Sequence, residues 1–262
     1  MPDVLDVFEP TEHTSEGSTR VVYRLGAGPA VVIMSELPGI TPEVAGFARR
    51  VADVGLTAVV PHLFGEDGRP ASGGYMLSTF ARACVAKEFT AFATGRTSPV
   101  ISWLRSLARH EHERCGGPGV GAVGMCFTGG FALGMMVDEL MVAPVLSQPS
   151  LPLPVGRVRK RDLGISPADQ QRVVERAAGG VCVLGLRFTG DRASPPERFA
   201  HLRELLGDNF VGVEIDSAPG NAHGHRKGAH SVLTNDLDDR PGTPTQAALS
   251  QVLAFLTDRL LP

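Results

Sequence analysis

The sequence predicts an α/β fold in which a mostly parallel central sheet carries helices on both faces. One observation is a series of short runs, among them Ala30-Val-Val-Ile-Met-Ser35, Leu56-Thr-Ala-Val-Val60, Met141-Val-Ala-Pro-Val-Leu-Ser147 and Val181-Cys-Val-Leu-Gly-Leu-Arg-Phe188, that are apolar on both sides of the chain. Such runs suit strands covered on each face. A second is that the segments between them carry apolar residues at helical spacing, and strands alternating with helices imply a doubly wound sheet. The third is bulk: 262 residues, 43% hydrophobic and 20% charged, suit one large core, so residues 1–262 are expected to form a single domain.

Taken in order, Thr19-Arg-Val-Val-Tyr-Arg-Leu25 reads as a strand that Gly26-Ala-Gly-Pro29 turns into the run from Ala30. A loop, Glu36-Leu-Pro-Gly-Ile, leads to Thr41-Pro42, an N-cap with a first-turn proline. The helix there has Val44, Phe47, Ala48 and Val51 on one face. The strand to Val60 closes at Pro61, and residues 62–76, rich in glycine, read as a long loop above the strand ends. Residues 78–93 and 98–114 read as helices, the second starting at Ser98-Pro99 with Ile101, Leu104, Leu107 and Ala108 inward. After the strand from Met141, residues 148–167 are rich in proline and basic residues and read as an excursion. Ser166-Pro167 opens a helix to Ala178, and Ser194-Pro195-Pro196 opens one to Leu206 after the strand ending at Phe188. Phe210-Val-Gly-Val-Glu-Ile-Asp216 is the last strand, and Thr243-Pro244 starts a terminal helix with Leu249, Val252, Leu253, Leu256 and Leu260 on one side.

Composition narrows the partners. A net charge of -3 and no clustered basic face give no electrostatic reason for nucleic acid or an anionic membrane. Arg157-Val-Arg-Lys-Arg161, the most basic stretch, reads as a solvated loop. The acidic start lacks the basic flank of a signal peptide, and no run approaches a membrane span, so a cytoplasmic location is expected. The cysteines at 84, 115, 126 and 182 show no C-x-x-C spacing and read as independent thiols. The histidines and acids form no recognisable metal site.

The chemistry centres on Val120-Gly-Ala-Val-Gly-Met-Cys126-Phe-Thr-Gly-Gly-Phe-Ala-Leu133. A buried strand, a crowded turn with glycine neighbours and an apolar helical run make a nucleophile elbow with Cys126 at its tip. In a doubly wound sheet, ligands bind beyond the carboxyl ends of strands. Glu36, Cys126, Asp191 and the histidines after Asp216 all follow strands, in the order nucleophile, acid, histidine.

Glu36-Leu-Pro-Gly, Gly124-Met-Cys126-Phe-Thr-Gly-Gly130, Gly190-Asp191 and Ala229-His230-Ser231 together resemble the dienelactone hydrolase family, α/β-hydrolases with a Cys-Asp-His triad. The resemblance runs from about residue 20 to the terminal helix. It implies the α/β-hydrolase fold and a cysteine-dependent hydrolase of a small ester, lactone or thioester that needs no cofactor. Cys126 would attack the carbonyl, His230 would serve as base and Asp191 would hold its ring. The backbone N–H groups of Phe127 and Leu37 would take up the oxyanion. The resemblance also implies that Glu36 interacts with the cysteine and takes part in its activation.

Alternatives stand beside this reading. His223-Gly resembles the His-Gly of many relatives, so His223 is an alternative base, with His225 a third candidate. Thr128 replaces the usual second glycine of the elbow. No arginine follows His230 to bind a substrate carboxylate, although Arg82 and Arg226 could reach from other loops. Another acyl-transfer or carbon-bond hydrolase reaction could use the same triad, and a catalytically silent α/β-hydrolase that binds a small molecule or protein is the competing class. A monomer or a small homo-oligomer is expected.

Overall fold

The apolar runs form the centre of an eight-stranded sheet in the computed structural model, which describes residues 4–86, 89 and 95–261, with 84 and 85 as backbone alone. The strands are Glu9–Ser15 (β1), Ser18–Gly26 (β2), Ala30–Met34 (β3), Thr57–Pro61 (β4), Val120–Met125 (β5), Met141–Ser147 (β6), Val183–Phe188 (β7) and Phe210–Ile215 (β8). Their order across the sheet is β1-β2-β4-β3-β5-β6-β7-β8. β2 is antiparallel to both neighbours, and every pairing from β4 to β8 is parallel.

Alternation along each strand builds two cores. In β3, Val31 and Ile33 face one core while Ala30, Val32 and Met34 face the other. The first core is closed by Pro42–Asp53 (α1) and the terminal helix Pro244–Leu260, and the second mainly by Val100–Cys115, Gly129–Met135, Pro167–Ala178 and Pro196–Leu206. With Gly73–Val85 as α2 and Gly156–Arg161 as α5, these are α8, α3, α4, α6 and α7. Three helices start where a hydroxyl before a proline indicates. Thr41, Ser166 and Thr243 accept the N–H groups of Val44, Asp169 and Gln246 at 3.4, 3.1 and 3.4 Å.

The structure departs from the sequence reading in four places. β1 was not foreseen, because an edge strand of polar residues has no apolar alternation to reveal it. It joins β2 through Glu16 and Gly17, whose φ values of +51° and +70° make the tight two-residue turn that matches strand twist. His13 then ties β1 to α3, with Nε2 3.1 Å from Ser106 Oγ and its ring edge-on to Trp103. The basic run at 157–161 is a short helix, α5, rather than a loop, and Lys160 and Arg161 pair with Glu197 and Glu204 of α7. α2 begins within the expected loop and ends at Val85, with Ala86 and Phe89 outside it. Residues 87, 88 and 90–93 and the Cys84 side chain lie outside the described residues. Cys182 precedes β7 by one residue, its thiol 3.7 Å from Asn209 Oδ1. Among the described residues no helix is long and apolar enough to cross a membrane.

Candidate active site

The parallel strands end on one edge, and the candidate residues gather there. Cys126 follows β5, Glu36 and Leu37 follow β3, Asp191 follows β7, and His230 sits in the long loop after β8. Cys126 has φ of +55°, a left-handed conformation that a non-glycine residue adopts at a cost and that exposes its thiol at the turn. The turn needs its glycines. A Cβ on Gly124 would lie 2.2 Å from Thr128 O, and one on Gly129 would lie 2.5 Å from Pro149 Cα.

Thr128, the departure from the glycine pattern, suits the turn for a physical reason. Its φ is -86°, so no glycine is required. Its buried hydroxyl accepts from Met125 N–H at 2.9 Å and lies 2.9 Å from Met34 O as a donor, which fastens the elbow to the end of β3. Ser150 N–H donates to Cys126 O at 2.8 Å from the other side.

The structure brings His230 to Asp191, not His223 or His225. His230 Nδ1 lies 2.6 Å from Asp191 Oδ2, and since an ionised carboxylate only accepts, Nδ1 carries the proton. Asp191 is buried and its other oxygen accepts from Ala193 N–H at 2.8 Å. Burial pushes the His230 pKa down, but charge interaction and a hydrogen bond with Cys126, together with Asp191, push it up to about 11. His223 is exposed on the loop surface, and the His225 ring packs 5.1 Å from that of Phe188.

Glu36 is enclosed and shared among three donors. Ser231 Oγ donates to it at 2.7 Å, Gln148 Nε2 at 3.2 Å, and Thr234 Oγ1 also donates. Its pKa is raised because burial outweighs those hydrogen bonds and the nearby His230. The carboxylate thus holds the segment just after His230; its side-chain hydrogen bonds go there and to Gln148, not to the Cys126 thiol. Asp236 accepts the backbone N–H groups of His230 and Ser231 at 2.8 and 3.0 Å and fixes the same segment from outside.

The sequence indicates no role for Gln148, Thr234, Asp236 and Arg198, and shows Ser231 only as part of a motif. Arg198 is buried in α7 and donates to four carbonyls, Asp162 O and Pro149 O at 2.7 Å, Arg159 O at 3.1 Å and Ala193 O at 3.3 Å. It has no carboxylate among these partners, and burial brings it down to about 10. Gln148 could have been found, because it follows β6 as the other site residues follow their strands.

Cys126, His230, Glu36, Leu37 and Phe127 line a cavity of about 840 Å³. A second cavity of about 380 Å³, under α5, is lined by none of them. Among the described residues no group of three or more His, Cys, Asp or Glu could hold a metal ion.

A parallel sheet with a cysteine elbow, a His-Asp pair at its strand ends and a cavity above them defines a protein of the α/β-hydrolase class. Residues 19–256 match the dienelactone hydrolase family, and the chain belongs to it and, with it, to the hydrolases that act on ester bonds. The fold is similar to a putative dienelactone hydrolase from Klebsiella pneumoniae at 15% identity and TM-score 0.64, over 96% of this chain and 98% of that one. It is similar to a dienelactone hydrolase-like promiscuous phosphotriesterase from metagenomic libraries at 16% identity and TM-score 0.61, over 97% and 98%. A cold-adapted esterase from an Arctic intertidal metagenomic library matches at 11% identity and TM-score 0.57, over 95% and 93%. Among curated proteins none matches the chain.

Proposed function

We propose that the chain is a cysteine-dependent hydrolase of a small ester, lactone or thioester working through Cys126, His230 and Asp191. The observation that carries this reading is His230, bonded to Asp191 and interacting with Cys126 at the floor of an open cavity. An imidazole whose pKa stands near 11 is protonated at neutral pH, the state that balances a thiolate.

The thiolate attacks the substrate carbonyl carbon, and the carbonyl electron pair moves onto oxygen. The N–H groups of Phe127 and Leu37 are suited to hold that oxyanion, both residues lining the cavity. The intermediate collapses, the bond to the leaving alkoxide or thiolate breaks, and His230 gives it a proton. Neutral His230 then takes a proton from water, whose oxygen attacks the acyl-cysteine, and the acid and the thiolate-imidazolium pair are restored. Asp191 keeps the ring tautomer throughout. Glu36 holds the His230 loop through Ser231 and Thr234. A free nucleophilic thiol needs a reducing setting, which fits the cytoplasm.

The test combines turnover with alkylation. Cys126→Ala should abolish hydrolysis of p-nitrophenyl esters, His230→Ala should lower kcat by about 10²–10⁴-fold, and His223→Ala should leave it within two-fold. Iodoacetamide at pH 7 should modify Cys126 faster than Cys115 or Cys182, and His230→Ala should remove that advantage. A silent binding protein would alkylate the three alike, and loss of activity in His223→Ala but not His230→Ala would overturn the base.

A further inference from the structure

The cavity above Cys126 has walls that the proposed chemistry does not explain. On one side α2 turns Met76, Leu77 and Phe80 toward it, and on the other the segment Leu151-Pro-Leu-Pro154 closes in. Met76, Leu77, Phe80 and Leu153 are open to solvent to a degree unusual for their type, with Leu77 70% and Leu153 62% exposed. Leu153 also has φ of +52°, a left-handed conformation that favours glycine or asparagine. Neither burial nor backbone preference accounts for a leucine there, and strained residues held at a cleft are a signature of ligand contact.

The charges in the same cavity are already committed. Arg226 is the arginine in its lining, and it forms a two-point pair with Asp236 at 3.0 and 3.3 Å. Arg82 of α2 is exposed and not part of the lining. Glu36 is enclosed by its three donors, and His230 is engaged by Asp191. A carboxylate entering with the substrate would meet no unpaired cation among the described lining residues, whereas an alkyl or aryl group would cover both walls at once.

Resting on the hydrolytic reading of Cys126, we infer that the substrate is a neutral ester or thioester with an extended apolar acyl group, seated between Met76, Leu77 and Phe80 on one side and Leu151 and Leu153 on the other. A carboxylate-bearing lactone is not its substrate. Each buried methylene contributes about 0.8 kcal/mol, close to a four-fold gain in affinity.

The experiment measures kcat/KM for p-nitrophenyl acetate, butyrate, hexanoate and the monoester of succinic acid, with the Kd of the same esters for Cys126→Ala protein by calorimetry. From acetate to hexanoate, four methylenes, kcat/KM and affinity should each rise at least about ten-fold, and the succinate monoester should fall at least about ten-fold below butyrate. Leu77→Ser with Leu153→Asn should shrink the hexanoate-to-acetate ratio at least about three-fold. Asparagine tolerates the left-handed backbone, so this variant should fold at least as stably as the wild type, which thermal unfolding checks. A hexanoate-to-acetate ratio below two, a preference for the succinate monoester, or a rim variant that changes oligomeric state with the ratio intact would each overturn the substrate class. Absent hydrolysis with the Kd ratio preserved in Cys126→Ala would overturn the hydrolytic reading and leave the substrate class standing.

Discussion

Replacing Arg198 by methionine should cost about 3–5 kcal/mol of stability and loosen one wall of the cavity. The opposing effects can be weighed. Burial brings the guanidinium from its ordinary value down to about 10, which corresponds to a cost of roughly 3 kcal/mol for keeping the charge. Against that stand four hydrogen bonds to carbonyls, each worth roughly 1.5–3 kcal/mol when the donor is charged, or about 6–12 kcal/mol together. The bonds win by about 3–9 kcal/mol, and because the methionine side chain refills much of the space the loss falls at the lower end of that range. Methionine removes the charge but leaves the carbonyls of Pro149, Arg159, Asp162 and Ala193 without their donor, and Pro149 O is deeply enclosed. For a chain of this size the loss lowers Tm by roughly 10 °C. Because Pro149 precedes the wall at 150–154 and Ala193 lines the cavity, KM should rise more than kcat falls. Lysine, a point charge that cannot span four carbonyls, should rescue part of the loss. Urea denaturation with steady-state kinetics on one ester series measures both effects. A methionine variant within 1 kcal/mol of wild type, on the scale of an ordinary surface change, would refute the reasoning.

Two further outcomes follow from the buried acid–base groups. Glu36 has a raised pKa, so its stabilising contribution is complete below the unfolded carboxylate value of about 4.3 and is lost as pH rises through the folded value. Wild type should therefore lose stability relative to Glu36→Gln as pH rises above the unfolded carboxylate value, as denaturation at several pH values would record; a pH-independent difference would contradict it. His230 runs on the same sign, its contribution present below about 6.5 and lost toward about 11. In Cys126→Ala burial acts against Asp191 alone, so NMR titration of the His230 ring should move down by about 1–3 pH units, and an unmoved titration would show that Cys126 is not its partner.

What the sequence discloses here depends on how local the physics is. The apolar runs of β3 to β7 and the hydroxyl-proline starts of α1, α6 and α8 were legible because strand burial and capping act over a few residues. The edge strand β1 was not, since its stability comes from pairing with β2 and from His13 on α3, and its own residues look like loop. At the site, the elbow could be read from Gly124, Cys126 and Gly129 because a crowded turn leaves a composition behind. Which histidine meets Asp191 could not, because that depends on the path of residues 216–243. Asn221 turns the chain by bonding to the carbonyls of Ala218 and His225, and Asp236 then receives His230, which carries His223 outward. Arg198 was invisible for the opposite reason. Arginine is normally exposed, and only the four converging carbonyls make an interior position favourable.

That histidine loop also shows how the fold secures its chemistry. A long stretch without helix or strand would ordinarily be too mobile to hold a ring within hydrogen-bond geometry. Here apolar packing secures Ala229, Val232 and Leu233, while polar groups set the orientation: Asp236 takes two backbone N–H groups, and Glu36 takes the hydroxyls of Ser231 and Thr234. An apolar residue at position 36 would remove the desolvation cost that raises this carboxyl, but it would leave those hydroxyls and Gln148 without their acceptor. The carboxylate links the ends of β3 and β6 to the segment behind His230, so the loop at Leu37 and the proposed base are held by one group. A change that frees the loop should therefore disturb the proposed base and the proposed oxyanion site together, and the strained turn at Cys126 should register it last, because Thr128 and Ser150 also secure that turn.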